Sequence, residues 1–186
     1  MNARHEPNGN DKENSGMNPY LRFTLMIACS MVAMFVLMYL HTYALNHVRW
    51  SETRFFMTLI MGGSMVLVMF AFMRQMYRSV PANSVLVAVG VGMIVGATWL
   101  VRSQDTVDDV AYLRGMIPHH SIAILTSERA QIEDLRVREL ADGIIRAQRK
   151  EIKEMDWLIE DIRENGPATT PDEVDQRTLP EFEGSL

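Results

Sequence analysis

The chain has 186 residues, 48% of them apolar and 22% charged, with a mean hydropathy near zero. Those averages resemble a soluble domain only because two unlike halves offset each other. Residues 23–45, 55–73 and 79–101 contain no Asp, Glu, Lys or Arg, and each run is close to the ~20 residues a helix needs to cross a bilayer. A single soluble domain is excluded, and the lone cysteine, Cys29, excludes a disulfide-stapled scaffold.

The net charge of −5 is divided in the same way. Residues 1–101 carry a net charge of +3 and residues 102–186 a net charge of −8. An acidic polar half cannot hold phosphate backbones by counterion release, so nucleic acid is not expected as a partner. No Gly-rich phosphate loop and no strand-period alternation appear, which argues against a nucleotide-binding α/β enzyme.

In chain order, residues 1–19 are polar and read as a disordered tail. Residues 20–102 read as a three-span region, with spans near 23–45, 55–73 and 79–101. The first run is too long for a signal-peptide core and lacks a small-residue cleavage site, so it is expected to remain as a span. Lys and Arg near the span ends set orientation. Arg4, Lys12, Arg22, Arg74 and Arg78 fall on one side and Arg49, Arg54 and Arg102 on the other. Five against three places the N-terminus in the cytoplasm and the C-terminal domain outside a bacterial inner membrane, in the periplasm or extracellular space.

Ten of the fifteen methionines lie between residues 26 and 76. Met57, Met61, Met65, Met69 and Met73 stand four apart, a step that winds slowly around one side of a helix. Met is a flexible apolar packer, and Gly62, Gly63, Gly90, Gly92 and Gly96 suit close helix packing. Thioethers are also soft ligands that select copper(I) over harder ions. With Met38, His41 and His47 around the first loop, the Met-lined spans could form a metal relay or a second site.

Beyond Arg102 the pattern becomes amphipathic helix. Residues 103–166 read as an exported helical hairpin and residues 167–186 as a disordered acidic tail. Asp105-Thr106-Val107-Asp108 starts the first helix, which runs to about Ala130 and should bend at Pro118. After a turn at residues 131–134, a second helix runs to Asn165 and stops at Gly166-Pro167. On the second helix Val137, Ala141, Ile144, Gln148, Glu151, Met155, Leu158 and Ile162 form one stripe, interrupted at its middle by Gln148 and Glu151. The first helix offers Val110, Leu113, Ile117, His120 and Ile124. Pairing the helices where residue numbers sum to about 265 puts His119 and His120 opposite residues 145–148, and Met116 near Arg149 and Glu151.

Two readings of this polar seam remain open from the residues. A His–Glu or His–Gln hydrogen bond could fix helix register. Alternatively, Met116, His119 and His120 share one helix face, as do Glu151 and Met155. Imidazole with thioether suits copper(I), or silver(I) as its mimic, better than zinc or a di-iron centre.

The residues Gly115-Met116-Ile117-Pro118-His119-His120, Ala123-Ile124, Leu140-Ala141, Ile144-Ile145 and Ala147-Gln148-x-x-Glu151-Ile152-x-x-Met155 resemble the domain-of-unknown-function family numbered 305. The likeness covers about residues 105–165. It implies a helical-bundle protein tied to copper and silver binding and tolerance, with metal held by Met116, His119, His120 and Met155. Gln148 and Glu151 match the family's second-helix motif and would orient the imidazoles from behind. Ile122 and Leu125 stand where the family often has Met, which removes two soft ligands from the hairpin.

The expected fold is an all-α membrane protein: three transmembrane helices, then a long antiparallel two-helix hairpin, half of a four-helix, ferritin-like bundle. Two helices bury little core, so a homodimer or higher homo-oligomer is expected to complete the bundle. The expected function is membrane-anchored copper(I) or silver(I) binding in periplasmic metal homeostasis, alongside periplasmic copper-handling proteins. The alternative is a structural or signalling membrane protein whose seam sets dimer register without metal. No enzyme is expected, because neither a nucleophile nor a cofactor motif accompanies the histidines.

Overall fold

The computed structural model describes residues 17–185, and its elements are all helical. Of the disordered tail expected over residues 1–19, residues 1–16, with the orienting charges Arg4 and Lys12, lie outside the described residues, while Asn18 and Pro19 cap and begin the first helix. Three helices are long and apolar enough to span a membrane: α1 (Pro19–Leu37), α2 (Glu52–Met73) and α3 (Val80–Ser103). Each begins with a side-chain cap. Asn18, Ser51 and Ser79 accept from the amides of Tyr20, Arg54 and Ala82, satisfying donors the helix leaves free.

The middle helix α2 packs against both neighbours. At its crossing with α3, a Cβ on Gly63 would come within 2.6 Å of the Gly90 carbonyl oxygen, so the two backbones approach as only glycine allows. Gly92 and Gly96, expected at a packed face, meet nothing within 4 Å and face away from any neighbour. Against α1, Phe23 and Ile27 bury beside Val66 and Tyr77, with Met31, Met65, Met69 and Met73 packed around them. The lower part of the Met stripe is therefore packing between helices. Its upper members, Met57 and Met61, are exposed.

The first span was expected to reach residue 45, but α1 ends at Leu37. The Arg54 guanidinium donates to the Met38 carbonyl, and its carbon lies 4.6 Å from the centre of the Tyr39 ring. Thr42 Oγ1 donates to the Tyr39 carbonyl at 2.9 Å. These groups take up carbonyls that another helical turn would have used, and the chain turns into a loop that includes a 3-10 turn, Leu45–His47.

The hairpin comprises α4 (Asp109–Arg129) and α5 (Leu135–Asn165), capped by Asp108 and Asp134. Helix α4 continues through Pro118. Helix α5 stops at Gly166, whose φ of 78° suits a residue without a Cβ. Leu113, Ile117 and Ile124 bury against Ile145, Ile152, Met155 and Ile159; each such side chain contributes about 1.5–3 kcal/mol when fully buried. The buried stripe of α5 thus runs through Ala141, Ile145, Ile152, Met155 and Ile159, rotated from the expected one. Gln148 and Glu151 stand at its edge rather than at its middle, and the Glu151 side chain is 45% exposed.

The tail after Gly166 was expected to be disordered. It instead contains a helical turn, α6 (Pro171–Gln176), closed by a reciprocal Thr170–Glu173 capping box. Arg177 ties it back to Asp161 at 3.1 Å, and the Glu183 and Ser185 carbonyls accept from Lys153 and Arg149. Glu173 and Pro171 serve this local cap, a use that composition alone does not reveal.

Candidate metal centre

His120 leaves α4 toward α5, and its Nδ1 lies 3.0 Å from Glu151 Oε2. The pairing with residues 145–148 is therefore displaced. Side chains on a helix lean toward its N-terminus. In an antiparallel hairpin both partners lean so that contacts form between residues whose numbers sum higher than those of facing backbones. Gln148 Nε2 donates to the same Oε2 at 3.2 Å, so glutamine, carboxylate and imidazole form a short chain across the hairpin edge.

The His120–Glu151 contact is at hydrogen-bond distance but off the line of a hydrogen bond, and Nδ1 is otherwise buried without a partner. Burial pushes the His120 pKa below its ordinary value, the Glu151 carboxylate pulls it back up, and the neighbouring His119 adds to the lowering. The net result favours the neutral imidazole, the form that binds metals. His119 and His120 are neighbours, with ring centres 6.2 Å apart.

The four expected ligands are not equally placed. Met116 packs against the hairpin core, of which Met155 is a buried member, 7% exposed. Met116 and His119 also line a cavity of about 420 Å³ where α4 meets the ends of the apolar helices. Met38, His41 and Met57 line that same cavity. Burial, then the nearby Arg54 guanidinium, lower the His41 pKa. Met61, Met65, Met69 and Met73 do not line it.

His47 stands elsewhere. Its Nδ1 is 2.9 Å from the hydroxyl of Ser121, which also accepts the Tyr43 amide at 2.7 Å. This ties the first loop to α4 through Nδ1 of His47 and leaves its Nε2 outside that contact. Arg49 adds a 3.2 Å ion pair to Asp156 on α5. Arg149 and Lys150 turn away from the seam toward Glu128 and Glu154. Sequence reasoning passed over Ser121, though a hydroxyl four residues after Ile117 on the core stripe asks for a buried partner.

The residue types decide which metal the site could suit. Among the described residues, no group of three or more His, Cys, Asp or Glu could hold a metal ion. Thioether and imidazole together suit a soft monovalent cation.

Residues 103–181 match the family described as Domain of unknown function (DUF305). An uncharacterized protein of Acanthamoeba polyphaga mimivirus is 31% identical over 143 residues, which cover 73% of this chain and 92% of that protein. That match is longer than the chain from residue 103 to its end, so the likeness reaches into the apolar helices. No solved structure matches the chain.

Proposed function

The chain belongs to the DUF305 family, and we propose that it is a membrane-anchored protein that binds copper(I), or silver(I) in its place, through the Met116, His119 and His120 face of its hairpin. The observation that carries this reading is the Gln148–Glu151–His120 chain. A carboxylate 3.0 Å from Nδ1, itself held by an amide, would favour the proton on Nδ1 and so leave Nε2 of a neutral imidazole as the donor. Met155 lies behind the face, in the core that Met116 packs against. The Lys and Arg distribution supports a hairpin outside the cytoplasm, in the periplasm of a bacterial cell, where it would take part in metal homeostasis.

Copper(I) competition on the detergent-purified protein tests the reading. Tight binding lost in the His119→Ala/His120→Ala double variant is the expected result; no tight binding by the parent would overturn it. In that case the alternative gains: the His120–Glu151 contact would serve as a register device in a structural or signalling protein. Leu135, Val137 and Leu140 leave apolar surface exposed near the hairpin turn, which supports a homodimer that completes a four-helix bundle. A monomeric mass in mild detergent across concentration would refute the dimer.

A further inference from the structure

We propose that the soft cation sits at the junction of hairpin and membrane helices, where Met38, His41 and Met57 complete a ligand set begun by Met116 and His119. The inference rests on the copper(I) reading and gives the cation further ligands on the Met116 and His119 side; His120, which faces Glu151 and does not line this cavity, keeps the part that the proposed function gives it. The five side chains come from the end of α1, the loop after it, the first turns of α2 and the inner face of α4, and all line one cavity of about 420 Å³. Three thioethers and two imidazoles facing a common space make a donor set that selects copper(I) or silver(I).

Exposure separates Met57, His41 and His119 from ordinary packing, whereas Met116 also packs on the hairpin core and Met38 Sδ accepts from Thr58 Oγ1 at 3.7 Å. Met65, Met69 and Met73 are packed against Phe23, Ile27, Val66 and Tyr77. Met57, at the upper end of the same stripe, is 43% exposed and opens on the cavity. His41 and His119 are exposed as well. The charges on the wall offset each other. Arg54 is engaged by the Met38 carbonyl and the Tyr39 ring, while the Glu52 carboxylate accepts from Thr106 Oγ1 at 3.1 Å. A cation there would add to the hold that the His47–Ser121 and Arg49–Asp156 contacts already give the hairpin on the membrane helices.

The test uses the full chain in detergent with silver(I) as probe, in a Cys29→Ala background because the thiol would itself take silver(I). Affinity is measured by competition for the parent, for Met38→Leu/Met57→Leu and for Met61→Leu. Leucine conserves volume, so folding should survive, and circular dichroism checks it. The expected result is at least about tenfold weaker binding in the double variant and none of that loss in Met61→Leu. Unchanged affinity in the double variant, with binding still lost in His119→Ala/His120→Ala, would overturn the junction site and leave the hairpin reading standing. No binding by the parent would overturn both. Silver-edge X-ray absorption on the parent decides the matter even if the double variant misfolds. A shell of three sulfurs supports the junction, whereas two or fewer, all that Met116 and Met155 can supply, would overturn it.

Discussion

His47 Nδ1 lies 2.9 Å from Ser121 Oγ, joining the loop after α1 to the buried face of α4. Ser121 is fully buried and already accepts the Tyr43 amide. Both groups are satisfied when the hydroxyl donates to Nδ1, which places the imidazole proton on Nε2. Together with the Arg49–Asp156 pair, this bond fixes where the hairpin stands on the membrane helices, and hence whether α4 can share a cavity with α1 and α2.

The same bond makes docking sensitive to acid. Burial lowers the His47 pKa below its ordinary 6.5; Asp156 opposes this and Arg49 adds to it. A depressed folded pKa means that the unfolded chain takes up the proton first as pH falls. The contribution is thus complete above about pH 6.5 and is lost as pH falls through the folded value. His120 shifts in the same direction. Thermal unfolding in detergent should therefore be flat from about pH 8 to 7 and weaken below 6.5. The His47→Asn variant should lose part of that slope, with a cost at neutral pH of about 1 kcal/mol. An identical slope in parent and variant would sink the assignment.

Arg54 closes the C-terminus of α1 from the first turn of α2, although its side chain is buried. Arg54→Leu leaves the Met38 carbonyl without its charged donor and should cost about 1.5–3 kcal/mol. Lysine should rescue little, since an ammonium cannot both donate to the carbonyl and lie flat on the Tyr39 ring. A thermal midpoint in Arg54→Lys equal to the parent's would show that charge alone suffices there.

The spans and the hairpin were legible because their signals are long and periodic: uncharged runs for α1 to α3, caps and Gly166 for α4 and α5. The Met-x-x-His-His motif was legible because it sits on one helix face. What escaped the sequence depends on contacts between distant residues. The early end of α1 follows from Arg54, sixteen residues later. His47 reads as a free imidazole until Ser121, seventy-four residues on, is placed beside it. The α5 core face was misplaced by a small rotation. Ile145, Ile152 and Ile159 are as apolar as the stripe beside them, and only packing against α4 chooses between the two.

At the α2–α3 crossing, a methyl group on Gly63 would push on the Gly90 carbonyl and Ile94, and backbone cannot give way cheaply. Gly63→Ala should cost about 1–3 kcal/mol. Gly62→Ala meets only the Met31 thioether, a flexible side chain, and should cost less. Gly92→Ala meets nothing and should be neutral or slightly stabilising. Thermal midpoints in one detergent check the order, and a Gly92→Ala variant as damaged as Gly63→Ala would contradict this crossing.

Glu151 separates the metal-binding role of the seam from a structural one. Its side chain is 45% exposed, so neutralising it should hardly change folding stability. Glu151→Gln keeps the size but removes the carboxylate that faces His120 Nδ1, and with it the force that favours one tautomer and one ring orientation. Copper(I) or silver(I) affinity should fall by about 10–100-fold at an unchanged thermal midpoint. A register device makes the opposite pattern: a shifted midpoint or an altered oligomer, and no tight metal to lose. Measuring affinity and midpoint on the same preparation distinguishes the two, because the half-exposed carboxylate is too well hydrated to matter much for folding unless another chain covers it.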